Sequence, residues 1–167
     1  RAPETTSGRQ GFLHPYVIQG GVAEVTFKIL LRDFQTSALA DQARLLTDIA
    51  RAVEAEIAGI TLTVHVQPQY RNMAEGLLHE PRAVALAQEA HTRLGRTARL
   101  TVIRGGTDGS LLTARRVPTP NLPAGQHTPH SRLEWASRDE MVHAAEVLVE
   151  ERDGVDEELL LSPPHGR

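Results

Sequence analysis

With 40% hydrophobic and 23% charged residues, a chain of 167 residues holds enough apolar material for one sizeable core or for pieces of two. A net charge of −3 argues against a nucleic-acid partner, which would call for a basic stripe, and a cysteine-free sequence excludes disulfides and thiolate metal sites. No apolar run approaches the span of a bilayer and no signal peptide is visible, so a cytoplasmic protein without a membrane partner is expected.

The chain opens with a polar segment, Pro3 to Gly11, which reads as a loop on composition alone. Phe12 to Ile18 reads as a strand ended by Gly20-Gly21. Val25, Phe27, Ile29 and Leu31 then alternate with Glu24, Thr26, Lys28 and Leu30, a half-buried strand that completes a hairpin. Arg32 closes that strand, and its plain reading is a solvated charge with Asp33 as partner. Ser37 is placed to cap a helix running to about Ala58. Leu39, Ala43, Leu46, Ala50, Val53 and Ile57 form its apolar stripe, and Asp41, Arg44, Asp48, Arg51 and Glu54 form its solvated side. After Gly59, the alternation of Ile60, Leu62, Val64 and Val66 predicts a third strand with His65 exposed. Strand, strand, helix, strand is most of a small open-faced sandwich.

Pro68 to Ala74 is irregular. Pro81 and Gly95 bracket a helix whose Val84, Ala87, His91 and Leu94 share one face, which makes His91 a packed or half-exposed histidine and not a ligand. Ala98 to Ile103 reads as a strand leading into Gly105-Gly106, with Asp108 capping a helix over Gly109 to Arg116. Pro118 and Pro120 end that helix. Ser137 and Glu140 form a capping-box pattern at the start of the last helix, with Met141, Ala145 and Leu148 on its buried face. Beyond Val149 the chain turns acidic and meets Ser162-Pro163-Pro164, so residues 151–167 are expected to fray into a disordered tail. The alternation of elements is that of an α/β protein.

Two stretches carry chemistry. Gly105-Gly106 before a helix lets backbone N–H groups face an anion, and Arg104 beside it offers a carboxylate or phosphate a planar fork of donors. His127 and His130 flank Thr128-Pro129, and two readings stand: surface histidines, or imidazole ligands for zinc or a similar metal.

The wording of these stretches is more specific. Arg104-Gly105-Gly106-Thr107-Asp108-Gly109, then Pro118-Thr119-Pro120-Asn121-Leu122, then His130-Ser131-Arg132-Leu133-Glu134, resembles the C-terminal part of peptidase T. Those are dinuclear zinc aminotripeptidases related to carboxypeptidase G. The likeness extends from about Pro3 to Val149. It includes Pro3, Glu4, Gly8, Gly11 and Phe12, the run Leu30 to Phe34, and Gln69-Tyr70-Arg71-Asn72-Met73, where Arg71 replaces a tyrosine. Gln126, Thr128 and Pro129 depart from residues common at those places.

The resemblance implies an incomplete ferredoxin-like dimerisation (lid) domain over 11–69 and the C-terminal part of a catalytic zinc-peptidase domain over 75–150. It implies removal of the N-terminal residue from tripeptides, two zinc ions per complete site, and a homodimer in the full-length form. His130 matches the last metal ligand, with His127 nearby. Arg104, Gly105, Gly106, Thr107 and Asp108 match the element that binds the substrate's C-terminal carboxylate. Arg32 matches a substrate arginine acting from the dimer-forming domain, and Asn72 falls in an element of the cleft. With Arg104 ending a strand, that turn and the His130 loop are expected at one edge of a sheet. The general base and the metal-bridging carboxylate belong to an upstream part of the pattern. The isolated chain is therefore expected to be inactive, and its start at Arg1 fits a processed or incomplete product. The other class of reading is a non-catalytic remnant that dimerises or binds peptides.

Overall fold

The structure, a computed structural model, describes the backbone of residues 1–161 and the side chains of residues 1–155. The chain is mixed α/β and divides into two compact units, Arg1–Asn72 with Val102–Leu111, and Met73–Thr101 with Leu112 onward.

In the first unit, β1 (Phe12–Gly20) and β2 (Val25–Arg32) pair antiparallel from Phe12↔Arg32 to Gly20↔Val25. The ladder breaks between Pro15 and Val17, because proline has no N–H to give and a bulge absorbs the gap. Helix α1 (Thr36–Glu56) packs beside β2, and the Gln42 side chain donates to the Arg32 carbonyl at 3.1 Å. Leu39, Ala43, Leu46, Ala50 and Val53 are half-buried while Asp41, Arg44, Asp48 and Arg51 are exposed, so the apolar stripe holds up to Val53. Ser37 does not cap the helix. The N-cap is Gln35, and the Asp33 carboxylate accepts the Gln35 N–H at 3.0 Å, so the chain turns in two residues early. The helix ends at Glu56 with Ile57 as its C-cap, two residues short of the expected Ala58, and Gly59, with φ +86, turns the chain beyond it.

The expected third strand is not formed. Ile60, Leu62, Val64 and Val66 lie exposed with no ladder, and one tie fixes the segment, the Leu62 N–H on the Glu54 carboxylate at 2.6 Å. A strand needs a partner for its backbone groups, and among the described residues β1 and β2 pair only with each other.

The second unit rests on α3 (Arg82–Arg93) against α5 (Arg138–Leu161), where Ala87, Ala90 and Val147 are buried. Alanines at the crossing let the two helices approach closely. Arg96 clamps the contact from its rim, donating to the His143 carbonyl at 3.3 Å and pairing with the Glu146 carboxylate. His91 is half-buried with Nδ1 2.8 Å from the Ala87 carbonyl, the packed histidine that the periodicity predicts. Ala98 to Ile103 forms no strand, again because no partner pairs with it among the described residues. The short helices α2 (Ala74–Leu77) and α4 (Asp108–Ala114) complete the connections, with Asp108 as the first residue of α4.

A two-residue pairing that the sequence did not reveal, β3 (Gln126–His127) with β4 (Trp135–Ala136), brackets the histidine loop. Ser137 caps α5 by accepting the Glu140 N–H at 3.3 Å. The helix continues past Val149 to Leu161, whereas residues 162–167, with the expected Ser-Pro-Pro break, lie outside the described residues.

At 2% exposure, Ala90 has no room for a larger side chain. Ala90→Leu is expected to overpack the α3–α5 contact and cost about 1–3 kcal/mol of stability, read as a lower urea midpoint at unchanged slope. An unchanged midpoint would place this crossing outside the core.

Candidate functional site

Within the first unit, residues distant in sequence close a circuit. The Arg104 guanidinium lies 4.8 Å over the Phe12 ring. Phe12 is the cross-strand partner of Arg32. The Arg32 guanidinium lies 4.8 Å over the Tyr70 ring. The phenol end of Tyr70 presses on Gly106, in the space where a Cβ would stand. Gly106 is two residues from Arg104. Three of the expected substrate residues, Arg32, Arg104 and Gly106, are therefore brought together, joined by Phe12, to which sequence reasoning gave no role in the site, and by Tyr70, which it read as either a buried loop tyrosine or part of the cleft element.

Arg104 does more than face solvent. It donates to the carbonyls of Thr6 (2.9 Å), Gln10 (3.2 Å) and Pro3 (3.5 Å) and to the Thr6 hydroxyl (2.5 Å). The opening segment is thus held by the arginine that the motif reading assigns to substrate. Its Nε and the Thr107 hydroxyl are buried without a partner among the described residues. Buried donors are rarely left unmade, so these two atoms mark the turn as a candidate for an acceptor. Asp108 is exposed, Gly105 has open space around its Cα, and Asn72 is half-buried at the end of the first unit's main segment.

Arg32 ends β2 as expected, but Asp33 is not its partner, since that carboxylate is turned to Gln35. Two of its N–H donors are engaged, one on the Leu31 carbonyl at 3.2 Å and one on the Gln69 side chain at 3.3 Å. A guanidinium carries five donors, so most of this fork stays open.

In the second unit, Glu134 organises the loop around His130. One oxygen accepts the Gln126 side-chain amide at 2.5 Å and the other the His130 backbone N–H at 2.8 Å. These two bonds, the Gln126 one foremost, hold its carboxyl below the usual carboxylate range. His130 (φ 65) and Thr128 (φ 48) take the left-handed conformation, a strain of order 1 kcal/mol or more each that the Glu134 bonds help to offset. The His130 side chain is exposed, and its ring carries no hydrogen bond among the described residues. His127 is committed elsewhere: its ring stacks on Trp135 at 4.0 Å and its Nε2 is 2.6 Å from the Glu140 carboxylate. Glu140 is the residue that would complete the capping box, and it serves His127 instead.

A structural or catalytic zinc needs three or four protein ligands. No group of three His, Asp or Glu side chains converges among the described residues. His130, exposed and free of ring partners, fits one ligand position. The residues present fit no complete site, and no catalytic step is derived from one.

These elements share their fold with a solved structure. The chain superposes on aminopeptidase PepT from Bacillus cereus ATCC 10987 with a TM-score of 0.65, covering 89% of this chain and 41% of that one at 21% identity. The sequence goes further. It is 40% identical over 149 residues to Peptidase T of Geobacillus kaustophilus (strain HTA426) and 37% identical over 148 residues to Peptidase T of Ligilactobacillus salivarius (strain UCC118). Each of these alignments covers 89% of this chain and 36% of the relative. No family model matches. The chain is thus similar to peptidase T over nearly nine-tenths of its own length, and it spans little more than a third of those relatives.

The Glu134 bonds give a test of the loop. A carboxyl held low contributes order that is complete above its ordinary pKa and is lost as pH falls through the lowered value. Gln126→Leu removes the larger cause, so the Glu134 carboxyl is expected to titrate at higher pH, followed by its side-chain ¹³C shift. An unmoved titration would show that Gln126 does not hold it.

Proposed function

We propose that this chain is part of a zinc-dependent aminotripeptidase of the peptidase T kind and contributes a carboxylate clamp and one metal ligand. The observation that carries the reading is the circuit of Arg32, Tyr70, Gly106 and Arg104, with the unpartnered Arg104 Nε and Thr107 hydroxyl beside it. In this reading the C-terminal carboxylate of a tripeptide meets the turn of Arg104, Gly105, Gly106, Thr107 and Asp108. Arg32 offers its open fork to the same substrate, and Asn72 lines the approach. Fixing that end of the peptide measures its length from the reacting N-terminal bond.

His130 would hold zinc through a neutral ring nitrogen. The chemistry that zinc would supply in a complete site is carbonyl polarisation and hydroxide near neutral pH. No general base is assigned here, and the isolated chain is read as inactive. Residues 11–69 form an incomplete ferredoxin-like lid, and 75–150 the C-terminal part of the catalytic domain. The full-length protein is cytoplasmic and dimerises. The exposed cross-strand neighbours Ile18 and Phe27 favour the hairpin as the contact. No helix among the described residues is long and apolar enough to cross a membrane.

The second reading, a non-catalytic peptide-binding remnant, draws support from the want of a converging group of three metal-binding side chains among the described residues. Two experiments decide. The pure chain with zinc and a tripeptide is expected to release no N-terminal residue, and release would overturn the division of labour. In a full-length enzyme carrying this sequence, His130→Ala is expected to lower zinc occupancy by metal analysis. Arg104→Ala should keep the zinc and raise KM for free-acid tripeptides about tenfold or more, in line with roughly 1.5–3 kcal/mol for a charged hydrogen bond. Equal loss of metal in both variants would contradict the assignment.

A further inference from the structure

Tyr70 lies outside every helix and strand, yet it touches both halves of the clamp. Its ring face lies under the Arg32 guanidinium at 4.8 Å. Its Cζ, Cε1 and Cε2 fill the space beside Gly106 that a side chain would need, whereas nothing lies within 4 Å of a Cβ placed on Gly105. Neither glycine has a positive φ, so Gly106 is required by the approach of Tyr70 and not by its own backbone. Among the described residues, the Arg32 side chain is held by two hydrogen bonds, both longer than 3.1 Å. A long side chain on two weak bonds samples many orientations, and an aromatic face beneath it fixes the plane of the fork.

We infer that Tyr70 is the positioning residue of the carboxylate clamp. It sets the plane of Arg32 and seats the Gly105-Gly106 turn that carries Arg104, without touching the substrate itself. The inference rests on the clamp reading above and adds the residue that gives the clamp its orientation. Orientation is what separates a bidentate grip on a carboxylate from simple attraction by positive charge. A tyrosine acting this way changes the preference for a free C-terminus, not merely the stability of the chain.

The test uses the whole chain, with Ala-Ala-Ala and its C-terminal amide as probes. Without ligand, the Arg32 side-chain protons are expected to be shifted upfield by the Tyr70 ring. The shift should persist in Tyr70→Phe and vanish in Tyr70→Leu, and an equal shift in Tyr70→Leu overturns the inference. With ligand, calorimetric titration is expected to show Tyr70→Leu binding the free acid about tenfold more weakly and losing most of its preference over the amide. Tyr70→Phe should stay within about twofold of the parent. Weakened binding in Arg32→Lys beside unchanged binding in Tyr70→Leu overturns the role of Tyr70 alone and leaves the clamp standing. If the parent chain binds neither probe, clamp and positioning role both fall.

Should Tyr70→Leu fail to fold, the contact is still testable in pairs. Gly106→Ala is expected to lower the Tm by several degrees beside Tyr70 and by much less in the Tyr70→Ala background, while Gly105→Ala is tolerated in both. Equal losses from Gly106→Ala in the two backgrounds would overturn the fit.

Discussion

One guanidinium, that of Arg104, holds the first unit in order. Partly burying a charged group is costly unless its donors are met. Here three backbone carbonyls and a hydroxyl from Pro3 to Gln10 meet them, and the Phe12 ring lies beneath. That anchors the segment leading into β1. A hairpin of two strands is marginal by itself. This one is closed at its open end by the pairing of Phe12 with Arg32 and by the stack of Arg32 on Tyr70. Each cation–π contact is worth about 0.5–2 kcal/mol, depending on exposure. Their value lies in joining segments that no sheet joins.

What the sequence revealed follows from the range of each interaction. The α1 stripe, the helix around Ala87 and Ala90, the hairpin, and the Ser137 cap are set by residues within a few positions of each other, and all are present. Ile60 to Val66 and Ala98 to Ile103 carry a strand's composition but no ladder. Alternation records what a segment can do, and pairing needs a second segment to do it with. The β3–β4 pairing was invisible because two residues give no period.

The candidate site divides in the same way. Arg104, Gly106 and His130 were legible from motif wording, and the pattern put Arg32 at its strand end. Tyr70 was legible as part of the Gln69-to-Met73 element, but its contacts were not, since its partners Arg32 and Gly106 are remote in sequence. The task of Arg104 with Pro3, Thr6 and Gln10 carried no local signal at all. Glu134 and Gln126 were hidden differently: both lay inside the recognised loop. Gln126, a departure from the usual pattern, supplies a bond that helps hold the strained His130 turn.

The candidate residues are therefore partitioned along the chain, with the Arg104 turn in one unit and the exposed His130 imidazole in the other. The central claim is that the polar atoms of the Arg104 turn are left unmade for a peptide's carboxylate. The direct test is a crystal structure of a full-length enzyme carrying this sequence with a tripeptide bound. The expected result places the terminal carboxylate within hydrogen-bond distance of Arg104 Nε and the Thr107 hydroxyl, with an open donor of Arg32 on the same peptide. A carboxylate bound elsewhere, with those atoms still unpartnered, would contradict the account.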